Sequence, residues 1–147
     1  MWQMTINFKH MKVLIFYTKE FAYTPSQKNL DNAPDPGEPK TFNDCLLACI
    51  QIEASDEEKG LRSREKKLAN HLKWAARKNN TNHIVLHSFA HLSDSTASVE
   101  FTHELFNDAQ TRLENADYKV AQTPFGYFLD LKIDAPGFSL ARIWAEL

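Results

Sequence analysis

The sequence predicts a single α/β domain, a mixed β-sheet with helices packed on it. The 147 residues suit one domain with its own core, and 43% of them are hydrophobic while 24% are charged, as is usual in soluble globular proteins. Short apolar runs alternate with segments of helical periodicity. The last two strand-like runs follow each other without a helix between them, which favours some antiparallel pairing.

The first half of the chain predicts two strands, a loop and a helix. The apolar run at 11–17, MKVLIFY, indicates a buried strand. Residues 24–41 hold four of the six prolines, which predicts an exposed loop, and the run at 42–53 predicts a second strand. Residues 56–78 predict one helix, whose acidic start and basic end suit the helix dipole.

Two stripes divide the surface of the predicted helix at 100° per residue. One stripe is apolar and is expected to face the sheet: Leu61, Leu68, Leu72 and Ala75. The other stripe is cationic: Arg62, Lys66, Lys73 and Arg77. The cationic stripe is either a solvated face or a ridge that contacts phosphates, and the sequence leaves both interpretations open.

The second half predicts strands at 83–87, 118–122 and 125–133, with a helix at 97–115 between the first two. Pro136 and Gly137 then form a turn. The inward side of the helix is expected to carry Val99, Phe106, Ala109 and Leu113. In the last strand, alternation predicts one shared face for Phe125, Tyr127, Leu129, Leu131 and Ile133.

Composition narrows the classes of function. The formal charge of −2 gives no global basic field, so any nucleic-acid site must be local. No apolar run has membrane-spanning length, and charges interrupt the N-terminus, so a cytoplasmic protein without a membrane partner is expected. Cys45 and Cys49 lie about 13 Å apart on an extended strand, too far for a disulfide, which predicts buried free thiols.

The stretch HSFAHLSDSTAS, residues 87–98, concentrates polar chemistry at the end of a predicted strand. His87 and His91 lack a third metal ligand at a recognisable spacing, so no metal is expected. The serines lack the G-x-S-x-G pattern of a nucleophile, and Ser95 and Ser98 are interpreted as helix caps. The remaining interpretation is an anion-binding site formed by backbone N–H groups at a helix N-terminus. A histidine there either binds a ligand or is structural.

Two motifs, SFAHLS at 88–93 and TPFGYF at 123–128, favour a ligand-binding role for this stretch when they are taken together. With this spacing the chain resembles the editing domain of archaeal threonyl-tRNA synthetases over nearly all of residues 11–143. The resemblance implies a fold like that of D-aminoacyl-tRNA deacylases. It divides the chain into an N-terminal extension, 1–10, and a domain, 11–147, with Met11 as an alternative start.

The resemblance also implies a site around the 3′ end of a tRNA. Ala90 and His91 would face the amino acid, and His91 would take part in catalysis. An aromatic side chain would stack on the terminal adenine, a contact worth about 1–3 kcal/mol. Without the resemblance, Phe125 and Tyr127 would be interpreted as core residues. The substrate-binding residues carried over are Phe89, Ala90, Phe125, Gly126 and Tyr127.

The chain departs from the family at three positions. The family typically has Tyr and then a functional Lys where this sequence has Phe128 and Leu129, and a Glu where it has Arg142. Leucine cannot stabilise an oxyanion, so Arg142 is expected to supply the missing cation.

The function implied by the resemblance is a free-standing deacylase that hydrolyses misacylated, above all seryl, tRNA. A binding pocket discriminates one methylene by only about 1–3 kcal/mol, so a second site is needed to remove the smaller product. No cofactor is implied. The expected partners are the aminoacylated tRNA 3′ end, a second copy of the chain, and a threonyl-tRNA synthetase served in trans. The alternative is a protein that binds tRNA ends or a small ligand without hydrolysis.

Overall fold

The computed structural model describes residues 10–90, 92 and 95–147. They form a six-stranded mixed sheet with helices packed on it, as the sequence predicted. A short 3-10 turn at Ser139–Ala141 precedes the last strand. The strands and helices are β1 (Lys12–Lys28), β2 (Lys40–Gln51), α1 (Ala54–Lys59), α2 (Leu61–Lys78), β3 (His83–Ser88), α3 (Val99–Asn115), β4 (Lys119–Gln122), β5 (Tyr127–Asp134) and β6 (Arg142–Glu146).

The sheet combines parallel and antiparallel pairing around β1. Its order is β4-β3-β2-β1-β5, and β6 also pairs with β1. β1 runs antiparallel to β2, β5 and β6, while β3 runs parallel to both of its neighbours, β2 and β4. Helices α2 and α3 make the crossovers that parallel strands require. Among the described residues, no helix is both long and apolar enough to cross a membrane.

The first strand is longer than the sequence predicted. Residues 24–28 and 40–41 were assigned to the loop 24–41, but they belong to β1 and β2. Pairing of β1 with β2 ends at Tyr23, so Pro25 lies where β1 pairs only with β5. A proline lacks the N–H donor of an interior strand but is tolerated at such a position. The register shifts between Pro25 and Lys28, where the strand becomes irregular.

The predicted helix 56–78 is two helices, because the chain turns at Gly60. The φ angle of Gly60 is +91°, in the region that favours glycine. The acidic residues of the first turn, Asp56 and Glu57, therefore belong to α1. Helix α2 begins without an acidic residue, so the expected match between charge and dipole is wrong at its start.

Two apolar cores lie on opposite faces of the sheet. The larger core joins the sheet to α2 and α3 and contains Leu68, Leu72 and Phe106, as predicted. Val99 is an error of prediction, because this first residue of α3 is 43% exposed while Leu105 is fully buried. The smaller core, on the other face, has no helical residue: Phe21, Tyr23, Cys45, Leu47, Cys49 and Val85.

Both cysteines are buried free thiols, as predicted. Burial raises the pKa of Cys49 to about 12, so this thiol stays protonated and unreactive at neutral pH. Burial also raises the pKa of Cys45, although the hydrogen bond with Thr18 lowers it in part. Their role is to fill the smaller core.

Candidate functional site

The loop that follows β3 is held against β2 by Gln51. Its buried side-chain amide accepts a hydrogen bond from Leu92 N at 2.7 Å and donates one to Ser95 O, also at 2.7 Å. Phe89 N donates to Ile50 O at 2.9 Å and continues the pairing past the end of β3. A single side chain thus fixes both ends of the loop segment, and sequence analysis missed it because an isolated Gln carries no motif.

A cavity of about 130 Å³ lies between this loop and β5, and we call it the β3–β5 cavity. It brings together Phe89 and Ala90 of the first motif with Tyr127 of the second. Phe89 and Leu129 both pack against the smaller core, so the sheet coils enough to bring β5 over β3 across two intervening strands. The cavity is lined by His87, Ser88, Phe89, Ala90, Tyr127, Phe128, Leu129 and Leu131.

Phe125 lies on the opposite side of the second motif. Its ring stacks on His103 with centroids 5.3 Å apart, and meets Phe106 edge-on at 5.8 Å. The predicted common face of 125–133 is therefore wrong at Phe125, since Gly126 has φ +84° and redirects the chain before β5 begins. Phe125 lines a second cavity, of about 260 Å³, together with His103, Gln122, Thr123, Val99 and the segment 30–34.

The segment 29–34 closes over the second motif. Asn29 N donates to Gly126 O at 2.8 Å, and the Tyr127 hydroxyl donates to Pro34 O at 2.6 Å. A Cβ on Gly126 would lie 2.6 Å from the Cβ of Ala33. Only glycine fits this close approach, and the segment, predicted as part of an exposed loop, lies against the second motif.

His87 is the polar side chain most deeply placed in the β3–β5 cavity. It is 7% exposed, and its Nδ1 lies 2.8 Å from Thr123 Oγ1 in a hydrogen bond. Burial lowers its pKa from 6.5 to about 4, so the imidazole is neutral at physiological pH. The sequence provided no support for His87 as a metal ligand and left open whether a histidine of this stretch binds a ligand or is structural. Among the described residues, no three His, Cys, Asp or Glu side chains converge to hold a metal ion.

The two catalytic candidates are placed differently. His91 lies outside the described residues. Arg142 begins β6, pairs with Phe16 of β1, and donates from Nη1 to Pro136 O at 2.9 Å. Leu129 pairs with Pro25, nine residues further along β1, which is about 30 Å at 3.3 Å per residue. One chain therefore does not bring Arg142 beside Leu129, and the described side chains of the cavity carry no formal charge.

The serine caps are partly as predicted. Ser98 caps α3, where its side chain accepts a hydrogen bond from Phe101 N at 3.2 Å. Ser95 instead accepts from Ala54 N, at 3.3 Å, and so ties the loop to the start of α1.

Comparison with known proteins decides which family has this arrangement. The archaea-specific editing domain of threonyl-tRNA synthetase matches residues 11–147. The chain belongs to this family. The threonine–tRNA ligases of Methanocaldococcus jannaschii and Thermococcus kodakarensis are 26% and 28% identical to it, each over 90% of this chain. The chain spans 21% and 22% of those two proteins, about a fifth of their length.

The fold of this editing domain also occurs in a solved structure. The c-Myc DNA Unwinding Element Binding Protein superposes with a TM-score of 0.65 and 15% sequence identity. The likeness covers 92% of this chain and 98% of that one. At this identity the likeness concerns the fold alone.

Replacement of Gly126 tests the close approach of the segment 29–34. We expect Gly126→Ala to lower the free energy of unfolding by about 2–5 kcal/mol, because it adds steric overlap with Ala33 to the cost of a positive φ. Gly37→Ala is a matched control with φ +74° and no atom within 4 Å, and should cost only about 1–2 kcal/mol. Urea unfolding measures both, and equal losses would contradict the packing argument.

The pKa of His87 predicts a pH dependence of stability. The folded chain binds this proton only near pH 4, whereas the unfolded chain binds it near 6.5. The resulting stability is complete above pH 6.5 and is lost as the pH falls towards 4. We expect wild type to lose about 2–3 kcal/mol more than His87→Gln between pH 7 and about 4.5. Urea unfolding across this range measures the difference, and parallel curves would show that His87 titrates normally.

Proposed function

We propose that this editing domain hydrolyses the ester of a misacylated tRNA, above all seryl-tRNA, and acts in trans in the cytoplasm. The observation that carries the proposal is the convergence of both motifs on the β3–β5 cavity, where Phe89, Ala90 and Tyr127 meet. Membership of the editing-domain family supports the same conclusion. The proposed partners are the aminoacylated 3′ end and a threonyl-tRNA synthetase that makes the error.

In the proposed reaction, water attacks the carbonyl carbon of the aminoacyl ester. The bond from that carbon to the ribose oxygen breaks, one proton of the water passes to the ribose oxygen and the other to the solvent, and the amino acid leaves as a carboxylate. Tyr127 and the loop at Phe89 and Ala90 would form the walls around the ester, and His91 would contact the amino acid. Gly126 keeps the segment 29–34 close, and Phe125, turned to the second cavity, is the aromatic surface proposed for the adenine.

The helix-free face of the sheet supports the proposed homodimer. Trp144 is 51% exposed and pairs with Leu14, and Ile133 is 41% exposed and pairs with Phe21, so both lie beside the smaller core. A second copy would cover such an apolar surface. It is also the proposed source of the cation, because Arg142 is remote from Leu129 within one chain.

A binding protein without hydrolysis is the second candidate. It is favoured by one observation, that the described side chains lining the β3–β5 cavity carry no formal charge. Without a cation or carboxylate near the ester, the pocket would retain charged tRNA rather than cleave it. The two candidate functions differ in whether the protein catalyses repeated cleavage of the ester.

Loss of the ester from seryl-, threonyl- and D-aminoacyl-tRNA is the deciding measurement. We expect selective loss of serine that His91→Ala reduces by about 10²-fold. Leu129→Lys should raise the rate by about 10²-fold, because it places an ammonium group in the cavity where the family has one. Leu131→Lys, which adds the same charge to the same cavity two residues on, is the matched control and should give little gain.

No loss of any ester above the spontaneous rate would favour the binding protein. In that case a gain of hydrolysis in Leu129→Lys alone would identify the missing cation as the reason. Equal gains from both lysine variants would instead indicate a general effect of charge on tRNA affinity.

The role of Arg142 has a separate test. We expect Arg142→Ala to reduce deacylation by about 10²-fold. If the second copy supplies this cation, mixed dimers of His91→Ala and Arg142→Ala chains should recover activity, since one of their two sites holds both intact residues. Unchanged activity in Arg142→Ala would exclude it, and a loss without recovery in mixed dimers would place its action within one chain.

A further inference from the structure

Helix α2 concentrates positive charge in an acidic chain. It carries seven of the 17 Lys and Arg but one of the 19 Asp and Glu, so it contributes +6 and the remaining residues −8 to the formal charge of −2. Arg64 is buried and paired with Asp56, and Glu65 is paired with Arg112. The other cations lie within an arc of about 160° at 100° per residue. These residues, the α2 cationic face, are Arg62, Lys66, Lys67, Lys73, Arg77 and Lys78.

Stability does not account for the α2 cationic face. Arg62 and Lys66 are four residues apart, as are Lys73 and Arg77, and like charges at this spacing repel. No acidic residue precedes them in the first turn, where the helix dipole disfavours cations. In the described part of the chain, none of the six forms an ion pair. Such unbalanced charge is retained at a cost to folding, which points to an anionic partner.

An exposed aromatic side chain lies among these cations. Trp74 is 40% exposed, and its ring stacks on His71 with centroids 5.8 Å apart and planes 20° apart. From Arg62 to Lys78 the cations extend over about 24 Å at 1.5 Å per residue, enough to meet several phosphates. Because the exposed ring lies between the cations, a nucleic acid that covers this face would change the environment of Trp74.

The α2 cationic face begins at the end of the sheet where the candidate site lies. Glu57 of α1 accepts hydrogen bonds from the amide and the hydroxyl of Ser98, and Ser95 accepts one from Ala54 N. These contacts join α1, which precedes α2, to the loop that follows β3. β3 follows α2 and ends at that cavity, so α2 runs from the site towards the opposite end of the sheet.

We propose that the α2 cationic face binds the phosphate backbone of the RNA stem whose 3′ end enters the β3–β5 cavity. The choice of RNA over another polyanion rests on the proposed function. The stem lies along the helix, and its phosphates contact the cations without reading sequence. Affinity for RNA therefore depends on α2, while chemistry on the ester depends on the cavity.

The test compares two triple variants for binding to an uncharged RNA hairpin with a single-stranded 3′ CCA. Lys66→Gln, Lys73→Gln and Arg77→Gln together should weaken binding by about 100-fold near 0.15 M salt, and lower the slope of log affinity against log salt by about 2–3. The matched control neutralises three exposed lysines elsewhere, Lys19, Lys40 and Lys119, and should change affinity by less than about threefold. Equal losses in both variants would overturn the proposal.

Two further readouts locate the RNA and identify the class of partner. RNA should quench the fluorescence of Trp74, and Trp74→Phe should abolish this change; a change that persists places the RNA elsewhere and overturns the proposal. Poly-glutamate of equal charge should compete poorly. If poly-glutamate competes as strongly as the unlabelled hairpin, the proposal of an RNA partner is overturned in favour of an acidic protein.

The hairpin carries no ester, so its binding is independent of the deacylase proposal. Seryl-adenosine carries the ester but has no stem, so its hydrolysis tests the deacylase proposal without the α2 cationic face. The α2 triple variant should hydrolyse it at the wild-type rate while losing activity on seryl-tRNA. A matching loss on both substrates would show that α2 supports the cavity rather than the stem, and would contradict the proposal.

Discussion

The long strand β1 is the constraint on which the rest of the structure depends. It pairs with β2 along one edge, and along the other edge with β6 over its first part and with β5 over its second. Because one strand serves three partners, its coiling sets where β5 lies relative to β3. The smaller core, which contains Phe21 and Tyr23 of β1 and contacts Leu129 of β5, stabilises this coil from the helix-free side.

The two cavities result from one change of backbone direction. Gly126 separates Phe125, which packs against α3, from Tyr127, which lines the β3–β5 cavity. The positive φ of Gly126 and its contact with Ala33 make this change dependent on glycine. A single motif therefore provides walls for two neighbouring spaces, which suits a ligand with two chemically distinct parts.

The charged surface of this molecule is separate from the cavity that forms the candidate site. The β3–β5 cavity is lined by uncharged side chains, among them a neutral histidine, whereas the cations are concentrated on α2. The acidic residues before Gly60 belong to α1, and Asp56 among them pairs with the buried Arg64 rather than with the exposed cations of α2. An overall charge of −2 conceals this local field, which average composition does not report.

Local pattern was enough to determine much of the fold. The apolar runs and helical periodicities of the sequence identified the α/β class, the buried faces of α2 and α3, and the buried thiols, because each of these follows from side chains near one another in the chain. The pairing of SFAHLS with TPFGYF identified the family and indicated that the two motifs would meet.

Tertiary structure decided the features that depend on distant contacts. Residues 24–28 form a strand because β5 pairs with them, although their composition indicates a loop. Phe125 does not lie on its predicted face, and Val99 is exposed. Arg142 pairs with a residue of β1 that is about 30 Å from the partner of Leu129. Local periodicity in the sequence does not contain this information. The roles of His87 and Gln51 depend on Thr123 and on the loop backbone, so only the folded chain defines them.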